Sequence, residues 1–158
     1  MGGLRLGIAF VIRAATIADL SSLMRLERVS PSAGHWTEEQ YRQALQPAES
    51  AKRLVLVAEE NAGVVGFLVA LHVSSEWELE NIVVAPSMQR TGVGKSLLDA
   101  LLVRARETNS ESVFLEVRES NFAARRLYEK AGFEQAGRRP SYYSYPLEDA
   151  VLYRLDLA

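Results

Sequence analysis

Cysteine is absent from this chain of 158 residues. Disulfide bonds, thiolate metal sites and a catalytic cysteine that carries an acyl group are therefore excluded. The absence of disulfides suits a reducing compartment, and we expect a cytoplasmic protein.

Long hydrophobic runs are also missing. No apolar stretch approaches the roughly 20 residues that a membrane-spanning helix needs, so we expect no membrane partner. The apolar segment over residues 7–12 is short and ends at Arg13, which argues against a signal peptide. Leu6 stands where the N-myristoylation pattern requires serine or threonine.

A large charge of one sign is absent as well. The chain has 18 basic and 20 acidic residues and a net charge of -2. Such a balance provides no general attraction to nucleic acid, so we expect no direct nucleic-acid partner. The apolar share of 48% suits one globular domain, which we predict to cover residues 1–158.

Hydrophobic periodicity predicts an α+β protein. Apolar runs and alternation predict strands over residues 9–13, 54–59, 64–72, 76–84 and 112–117, and again from residue 133 onward. Helical spacing predicts helices over residues 17–29, 38–45, 93–102 and 121–131. The second half of the chain thus has a βαβ succession.

Two glycines and two cations lie where the strand over residues 76–84 leads into the next helix. Gly92 and Gly94 allow a ligand to approach the backbone closely, and the N–H groups of a first helical turn have no partner within the helix. Arg90 and Lys95 add positive charge to the helix start. This arrangement favours a phosphate or pyrophosphate ligand.

A nucleotide-binding P-loop is excluded at this turn. Gly94, Lys95 and Ser96 match the end of that pattern, but Gln89 stands where its first glycine is required. Pro86 also interrupts the connection between strand and helix.

A different phosphate-binding pattern fits. The pyrophosphate-binding signature of the GNAT acetyltransferases, Q/R-x-x-G-x-G/A, resembles the run Gln89, Arg90, Thr91, Gly92, Val93 and Gly94. Proteins of this family bind acetyl-coenzyme A. Taken alone, these residues also fit an ordinary glycine-containing helix start with two solvated cations.

Further similarity lies downstream. Residues 115–121 read Leu-Glu-Val-Arg-Glu-Ser-Asn, and residues 127–133 read Leu-Tyr-Glu-Lys-Ala-Gly-Phe. Both runs, together with residues 138–143 and 146–150, resemble the bacterial ribosomal-protein-alanine N-acetyltransferases within the GNAT family. The resemblance covers most of positions 79–156, whereas residues 1–75 match only in the order of their elements.

The resemblance implies a GNAT fold, in which a mixed, mostly antiparallel sheet is flanked by helices and two central strands splay to admit acetyl-CoA. It implies cofactor-binding roles for Ile82, Val83, Val84, Gln89, Arg90, Thr91, Gly92, Val93, Gly94, Lys95 and Asn121. In this family the strand residues align with the pantetheine arm, the turn holds the pyrophosphate, and the asparagine contacts coenzyme A. No metal ion is implied.

Two residues are candidates for proton transfer. The resemblance implies that Glu116 is the general base and Tyr128 the general acid. If Asn121 caps its helix, Tyr128 lies two turns along and can face the cofactor sulfur. From the residues alone, Glu116 also fits a salt-bridge partner and Tyr128 a core side chain.

The predicted function is acetyl transfer from acetyl-CoA to a protein N-terminal α-amine, an alanine of a small-subunit ribosomal protein, by direct attack in a ternary complex. Two alternatives stay open: a GNAT enzyme that acetylates a lysine or a small-molecule amine, and a module that senses acetyl-CoA without turnover. Tyr142 and Tyr143, predicted in a loop, fit either a peptide groove or surface packing. The sequence does not indicate the oligomeric state.

The segment expected to flank the acceptor departs from the family pattern. Residues 34–37 read Gly-His-Trp-Thr, where the family commonly has Pro-Trp-Ser. We interpret His35 as a solvated loop residue and Trp36 as a packing residue. Thr37 and Gln40 resemble a capping box for the second helix. The departure leaves the exact acceptor open.

Overall fold

The computed structural model describes residues 9–30, 35–49 and 52–157. The expectations that concern residues 1–8, among them Leu6 and the start of the segment over residues 7–12, lie outside the described residues, as does Gly34.

Four α-helices and seven strands occur within the described ranges. The helices are α1 (Leu20–Arg28), α2 (Glu38–Ala44), α3 (Val93–Glu107) and α4 (Phe122–Lys130). The strands are β1 (Val11–Ala14), β2 (Arg53–Glu60), β3 (Gly63–Val73), β4 (Glu76–Val84), β5 (Ser112–Arg118), β6 (Glu134–Tyr143) and β7 (Glu148–Asp156). The predicted strand over residues 76–84 matches β4 at both ends.

The strands form one mixed sheet in the order β1-β2-β3-β4-β5-β7-β6. β4 and β5 are parallel, and the other neighbouring pairs are antiparallel. A parallel pair needs a crossover connection, which α3 provides. The predicted α+β fold with a mixed, mostly antiparallel sheet flanked by helices is confirmed.

The C-terminal strands depart from the predicted βαβ succession. β7 lies between β5 and β6 and is antiparallel to both. The prediction of one strand region from residue 133 did not separate β6 from β7, because β6 is exposed along nearly all of its length and has no apolar alternation. The prediction that Tyr142 and Tyr143 lie in a loop is wrong, since both belong to the end of β6.

The two faces of the sheet carry separate hydrophobic clusters. One cluster packs beneath α3 and α4 and includes Leu79, Leu115 and Tyr128. The other packs beneath α1 and α2 and includes Tyr41 and Phe67, but no residue of β5, β6 or β7 within the described chain. On the side of the sheet where α1 and α2 lie, these helices therefore cover β2 and β3 but leave β5 and β7 uncovered.

The start of α3 lies close to the sheet because residue 66 is glycine. A Cβ at this position would lie 2.9 Å from Cγ1 of Val93 and 3.0 Å from the carbonyl oxygen of Val83. Only glycine permits this approach without a shift of the backbone or of the helix. The first turn of α3 is thereby seated against β3 and β4.

A buried polar network holds the segment before α2 against the sheet. Glu27 Oε1 accepts hydrogen bonds from the Tyr41 hydroxyl at 2.8 Å and from the backbone N–H of Trp36 at 2.6 Å. The side-chain amide of Asn81 on β4 donates to the Tyr41 hydroxyl at 2.9 Å. Burial, followed by the effect of Glu27, raises the pKa of Tyr41 above its ordinary value, so the phenol keeps its proton.

Candidate active site

β4 and β5 separate part-way along their length. Their parallel register ends where Leu79 lies opposite Leu115. β4 continues beyond this point to Val84 and β5 to Arg118, with no further pairing between them. The separation of the two central strands is therefore present and opens a gap between them.

A bulge in β4 lies at the start of this gap. Val69 of β3 pairs with Asn81, whereas the next residue, Ala70, pairs with Leu79. Glu80 is therefore an extra residue in β4. Because a bulge bends a strand and increases its twist, this one helps to turn the end of β4 away from β5.

Ile82, Val83 and Val84 present one backbone edge to the gap. Their other edge is paired with residues 66–68 of β3. A strand edge without a ladder partner offers N–H and C=O groups to an extended ligand. The end of β4 can therefore bind an amide-containing chain along its backbone.

The start of α3 lies next to this edge. Gly92 precedes the helix with a φ of 90°, in the left-handed region that favours glycine. A Cβ on Gly94 would lie 3.6 Å from Cγ2 of Val84, so the helix start touches the end of β4. Within the described residues, the backbone N–H groups of residues 92–95 have no hydrogen-bond acceptor. They are free to bind an anion.

Arg90 and Lys95 supply mobile positive charge at this helix start. Arg90 is exposed, and its backbone has a φ of 65°. Lys95 Nζ lies 2.7 Å from Asp99 Oδ2, with both side chains exposed. Since exposed ion pairs contribute little, a phosphate can draw Lys95 away from Asp99.

The side chains of Thr91 and Val93 hold this turn in place. The Thr91 hydroxyl donates a hydrogen bond to the carbonyl oxygen of Met88, and the Val93 side chain is buried. Gln89 is exposed. Of the predicted pyrophosphate-binding run, the backbone of residues 92–95 and the side chains of Arg90 and Lys95 are thus available to a ligand.

Tyr128 lies on α4 and packs into the cluster beneath α3 and α4. It is only 4% exposed, and its ring centre lies 5.9 Å from that of Phe133 and 6.0 Å from that of Tyr153. Within the described residues the Tyr128 hydroxyl has no hydrogen-bond partner. In the same ranges, every side-chain polar atom that is fully buried does have a partner. The Tyr128 hydroxyl oxygen is therefore not fully buried and can be reached from outside the cluster. Burial, with a contribution from Tyr143, raises the pKa of Tyr128 above its ordinary value. The phenol therefore stays protonated at neutral pH.

Asn121 begins α4, as predicted. Its Oδ1 accepts a hydrogen bond from the backbone N–H of Ala124 at 3.2 Å, which caps the helix. This cap places Tyr128 two turns into α4. Because Oδ1 is used by the cap, the side-chain NH₂ is the part of Asn121 that can bind a ligand.

Glu116 lies on the opposite face of β5 from Tyr128. Its strand neighbours Leu115 and Val117 point into the cluster that contains Tyr128, so Glu116 points away from it. Its side chain is 18% exposed, and Oε1 lies 3.1 Å from Nη2 of Arg139 on β6. The carboxylate is thus partly accessible and paired with a cation. The residues next to Glu116 in the sequence do not indicate that cation.

Two further carboxylates face the same side of the gap. Glu80 binds Arg53 through two hydrogen bonds of 3.0 and 3.1 Å. Glu78 pairs with Phe114 across β4 and β5, which puts it on the same face as Glu116. Burial, followed by the charges of Glu80 and Glu116, raises the pKa of Glu78. Glu78 and Glu80 are not among the residues predicted from the sequence, although the alternation Glu-Trp-Glu-Leu-Glu of residues 76–80 indicates a polar face.

Trp36 adjoins these carboxylates. A cavity of about 280 Å³ is lined by Trp36, Gln40, Gln43, Arg53 and Glu80. The Trp36 ring centre lies 5.2 Å from that of Tyr41, as expected of a packing residue. His35 is exposed, as predicted for a solvated loop residue.

Tyr143, at the end of β6, is half-buried, and its pKa is raised. Burial, followed by the charge of Glu116, raises the pKa of Tyr143, and Tyr143 contributes to the raised pKa of Tyr128. The Arg118 guanidinium lies 4.4 Å from the centre of the Tyr143 ring and 3.3 Å from Glu148 Oε1. The end of β6 is therefore anchored beside the gap.

Comparison with known families identifies this arrangement. The model of the Acetyltransferase (GNAT) family matches residues 20–133, which include the gap, Glu116 and Tyr128. The chain belongs to the GNAT acetyltransferase family. It is an acetyl-CoA-dependent N-acetyltransferase.

Several GNAT proteins resemble the chain over most of its length. The [ribosomal protein bS18]-alanine N-acetyltransferase of Haemophilus influenzae is 39% identical over 102 residues, which cover 65% of this chain and 69% of that protein. The crystal structure of the ribosomal-protein-S18-alanine N-acetyltransferase from Escherichia coli has a TM-score of 0.82 and 29% identity, covering 95% of both chains. The crystal structure of Ard1 from Thermoplasma volcanium has a TM-score of 0.84 and 31% identity, covering 96% of this chain and 99% of that one.

The candidate GNAT site occupies one end of the sheet. The predicted residues lie on the unpaired end of β4, at the start of α3, on β5 beyond its pairing with β4, and in α4 with its N-cap. In the described part of the chain, no helix is long and apolar enough to cross a membrane. The same ranges contain no group of three His, Asp or Glu side chains that could hold a metal ion.

Proposed function

We propose that this GNAT enzyme transfers acetyl to the N-terminal α-amine of a protein, and that the acceptor is the N-terminal alanine of a small-subunit ribosomal protein. The observation that carries the reaction is the placement of Glu116 and Tyr128 on opposite faces of the sheet beside the gap. Similarity to [ribosomal protein bS18]-alanine N-acetyltransferases supports the acceptor. A ribosomal acceptor would place the reaction in the cytoplasm.

The residues present fit acetyl-CoA. The free edge of Ile82, Val83 and Val84 suits the amide-containing pantetheine arm, because both partners are extended and hydrogen-bond through amide groups. The unpaired N–H groups of residues 92–95 suit the pyrophosphate. Arg90 and Lys95 add charge there, and the NH₂ group of Asn121 is left for coenzyme A.

Acetyl-CoA, when bound, supplies the thioester whose carbonyl carbon the amine attacks and whose sulfur departs as a thiolate. Glu116 accepts the proton that the acceptor amine loses. Tyr128, which burial keeps protonated, donates its hydroxyl proton to the departing sulfur. The amine itself is the nucleophile, so the proposed reaction is a direct transfer in a ternary complex that needs neither a covalent acyl-enzyme nor a metal ion.

The free energy of deprotonating the acceptor favours an α-amine. An α-amine has a pKa of about 7.7 to 8.0, so an appreciable fraction is neutral near pH 7. A lysine side chain has a pKa of about 10.4, and its deprotonation at pH 7 costs about 4.6 kcal/mol. A single carboxylate such as that of Glu116 is sufficient as a base for the easier of these two acceptors.

The proposal is tested by mass spectrometry of peptides with free N-termini, among them one that begins with alanine and carries an internal lysine, after incubation with acetyl-CoA. We expect acetyl on the α-amine and not on the lysine. Acetyl on lysine alone, or on added small amines alone, would overturn the acceptor. Stoichiometric binding of acetyl-CoA without thiol release would instead indicate a sensing module.

A further inference from the structure

Arg139 reaches from the exposed strand β6 to the candidate base on β5. Arg139 pairs with Ala150 of β7, and Glu116 pairs with Leu152 of the same strand. The Arg139 Nη2 atom lies 3.1 Å from Glu116 Oε1, with the arginine side chain 55% exposed and the glutamate side chain 18% exposed. A cation of the enzyme itself thus faces the carboxylate that has to receive the acceptor amine.

The contact between Arg139 and Glu116 is an ion pair without hydrogen-bond geometry. Within the described residues, neither side chain takes part in a hydrogen bond, because no guanidinium N–H is directed at the carboxylate. The Arg139 guanidinium also lies 5.3 Å from the centre of the Tyr142 ring, a second favourable contact for the same cation. Because the arginine side chain is more than half exposed, solvent screens this ion pair, which contributes little and exchanges readily.

The charges around the gap leave room for another cation. Glu80 is neutralised by Arg53, and Glu116 by Arg139. Within the described residues Glu78 has no ion-pair partner, although the charges of all four of these residues act on it. Three carboxylates therefore share two guanidinium groups. The positive charge of an acceptor ammonium group that enters this face is balanced by the third carboxylate.

We propose that Arg139 is a positioning residue that occupies the acceptor-amine position on Glu116 in the free enzyme and yields the carboxylate to the acceptor's ammonium group. The inference rests on the proposed role of Glu116 as the base. An α-ammonium group and a guanidinium carry the same charge and compete for the same carboxylate oxygens. When the acceptor binds, Arg139 keeps its contact with the Tyr142 ring and leaves Glu116 to the amine.

Arg138 provides a matched control on the same strand. Its Nη1 atom lies 2.8 Å from Glu119 Oε1 and 3.2 Å from Asp149 Oδ2, so it serves a different pair of carboxylates. Because successive side chains of a strand point to opposite faces, Arg138 does not compete for Glu116. Replacing Arg138 removes the same charge from β6 without freeing the candidate base.

The test is calorimetric titration of an N-terminal-alanine peptide into enzyme saturated with coenzyme A, so that no turnover occurs. We expect Arg139→Gln to lower the peptide Kd about two- to fivefold, the range that an exposed ion pair allows. Arg139→Lys should stay near the wild-type Kd, since its ammonium group can also pair with Glu116. Arg138→Gln should leave the Kd unchanged.

A double-mutant cycle assigns the effect to Glu116. In a Glu116→Gln background, Arg139→Gln should no longer change the peptide Kd, because there is no carboxylate to compete for. A Kd that is unchanged or weaker in Arg139→Gln, or one that falls equally in both backgrounds, would overturn the inference. The proposed function is judged separately by whether the wild type acetylates the peptide. If another amine is the one acetylated, the same titrations are made with that amine.

Discussion

Glu116 and Tyr128 lie on opposite sides of the sheet, with Glu116 on β5 directly after the point where β4 and β5 part. Tyr128 belongs to the cluster beneath α3 and α4, whereas Glu116 points to the face that neither α1 nor α2 covers on β5. The two groups therefore do not form a hydrogen-bonded pair. In the proposed reaction each acts on a different side of the bound thioester, one on the entering amine and the other on the leaving sulfur.

Replacement of Tyr128 by phenylalanine tests the proposed acid. Because the hydroxyl has no hydrogen-bond partner within the described residues, its removal should leave the fold and acetyl-CoA affinity intact. Loss of a general acid typically lowers the rate about 10²- to 10⁴-fold, and we expect kcat to fall within this range. Steady-state kinetics combined with direct binding of acetyl-CoA make the measurement. A kcat equal to that of the wild type would remove Tyr128 from the mechanism.

Replacement of Glu116 by glutamine tests the proposed base. At pH 7 we expect kcat/KM for the acceptor peptide to fall about 10²-fold or more. The loss should shrink at pH 9, because the α-amine is then neutral without help from a base. Glu134→Gln, exposed on β6, is the matched control and should behave like the wild type. An equal loss at both pH values would contradict a role in deprotonation.

The two cations at the start of α3 should contribute unequally to acetyl-CoA binding. Arg90→Gln should raise KM for acetyl-CoA about five- to tenfold, equivalent to about 1 to 1.4 kcal/mol. Lys95→Gln should have a smaller effect, because Lys95 is shared with Asp99 in the free enzyme. Arg104→Gln, in the last turn of the same helix, serves as the control. Identical KM values for all variants would show that the pyrophosphate binds elsewhere.

Glu78 should lower the stability of the protein at neutral pH. Burial and the neighbouring carboxylates raise its pKa above the ordinary value of 4.5, so the folded state binds more protons than the unfolded state between pH 4.5 and the raised value. The free energy of unfolding therefore falls as the pH rises through this window. We expect Glu78→Gln to increase Tm at pH 7, with a gain that shrinks below pH 4.5, while the exposed Glu107→Gln changes little. A lower Tm at pH 7 would contradict this assignment.

The Tyr41 hydroxyl should stabilise the segment before α2. Tyr41→Phe leaves the Asn81 amide and the Glu27 carboxylate without this partner in a buried place, which typically costs about 1 to 3 kcal/mol of unfolding free energy. Urea denaturation measures the loss. Tyr145→Phe removes a hydroxyl from a side chain that is 98% exposed and should change nothing. A stability equal to wild type for both variants would mean that the network is dispensable.

Local features of the site were predictable from the sequence. Thr37 and Gln40 form the expected capping box, with reciprocal hydrogen bonds of 2.8 and 3.1 Å. Asn121 caps α4 as expected. In both cases donor and acceptor are three residues apart, so chain-local rules apply directly. The catalytic and cofactor-binding roles of the predicted residues remain predictions that the variants above test.

Contacts across the sheet were not predictable in this way. Arg139 is 23 positions after Glu116 in the sequence, and the two meet only because β7 inserts between β5 and β6. Glu78 gains its position beside Glu116 from the parallel pairing of β4 and β5. No short spacing or periodicity in the sequence indicates either neighbour.

The resemblance to the GNAT family, and not local spacing, named Glu116 and Tyr128 as the candidate proton-transfer residues. The sequence by itself determined the helices, most strands and the glycine-containing turn before α3. These features depend on hydrogen bonds and apolar spacing among residues close in the chain. Only the tertiary structure decided the order of β6 and β7, the bulge and the register at which β4 and β5 part, and the placement of Glu116 and Tyr128 on opposite faces. The physical reason is that strand order, a bulge and the pairing of distant charges depend on which parts of the chain pack together, and many arrangements satisfy the same local pattern.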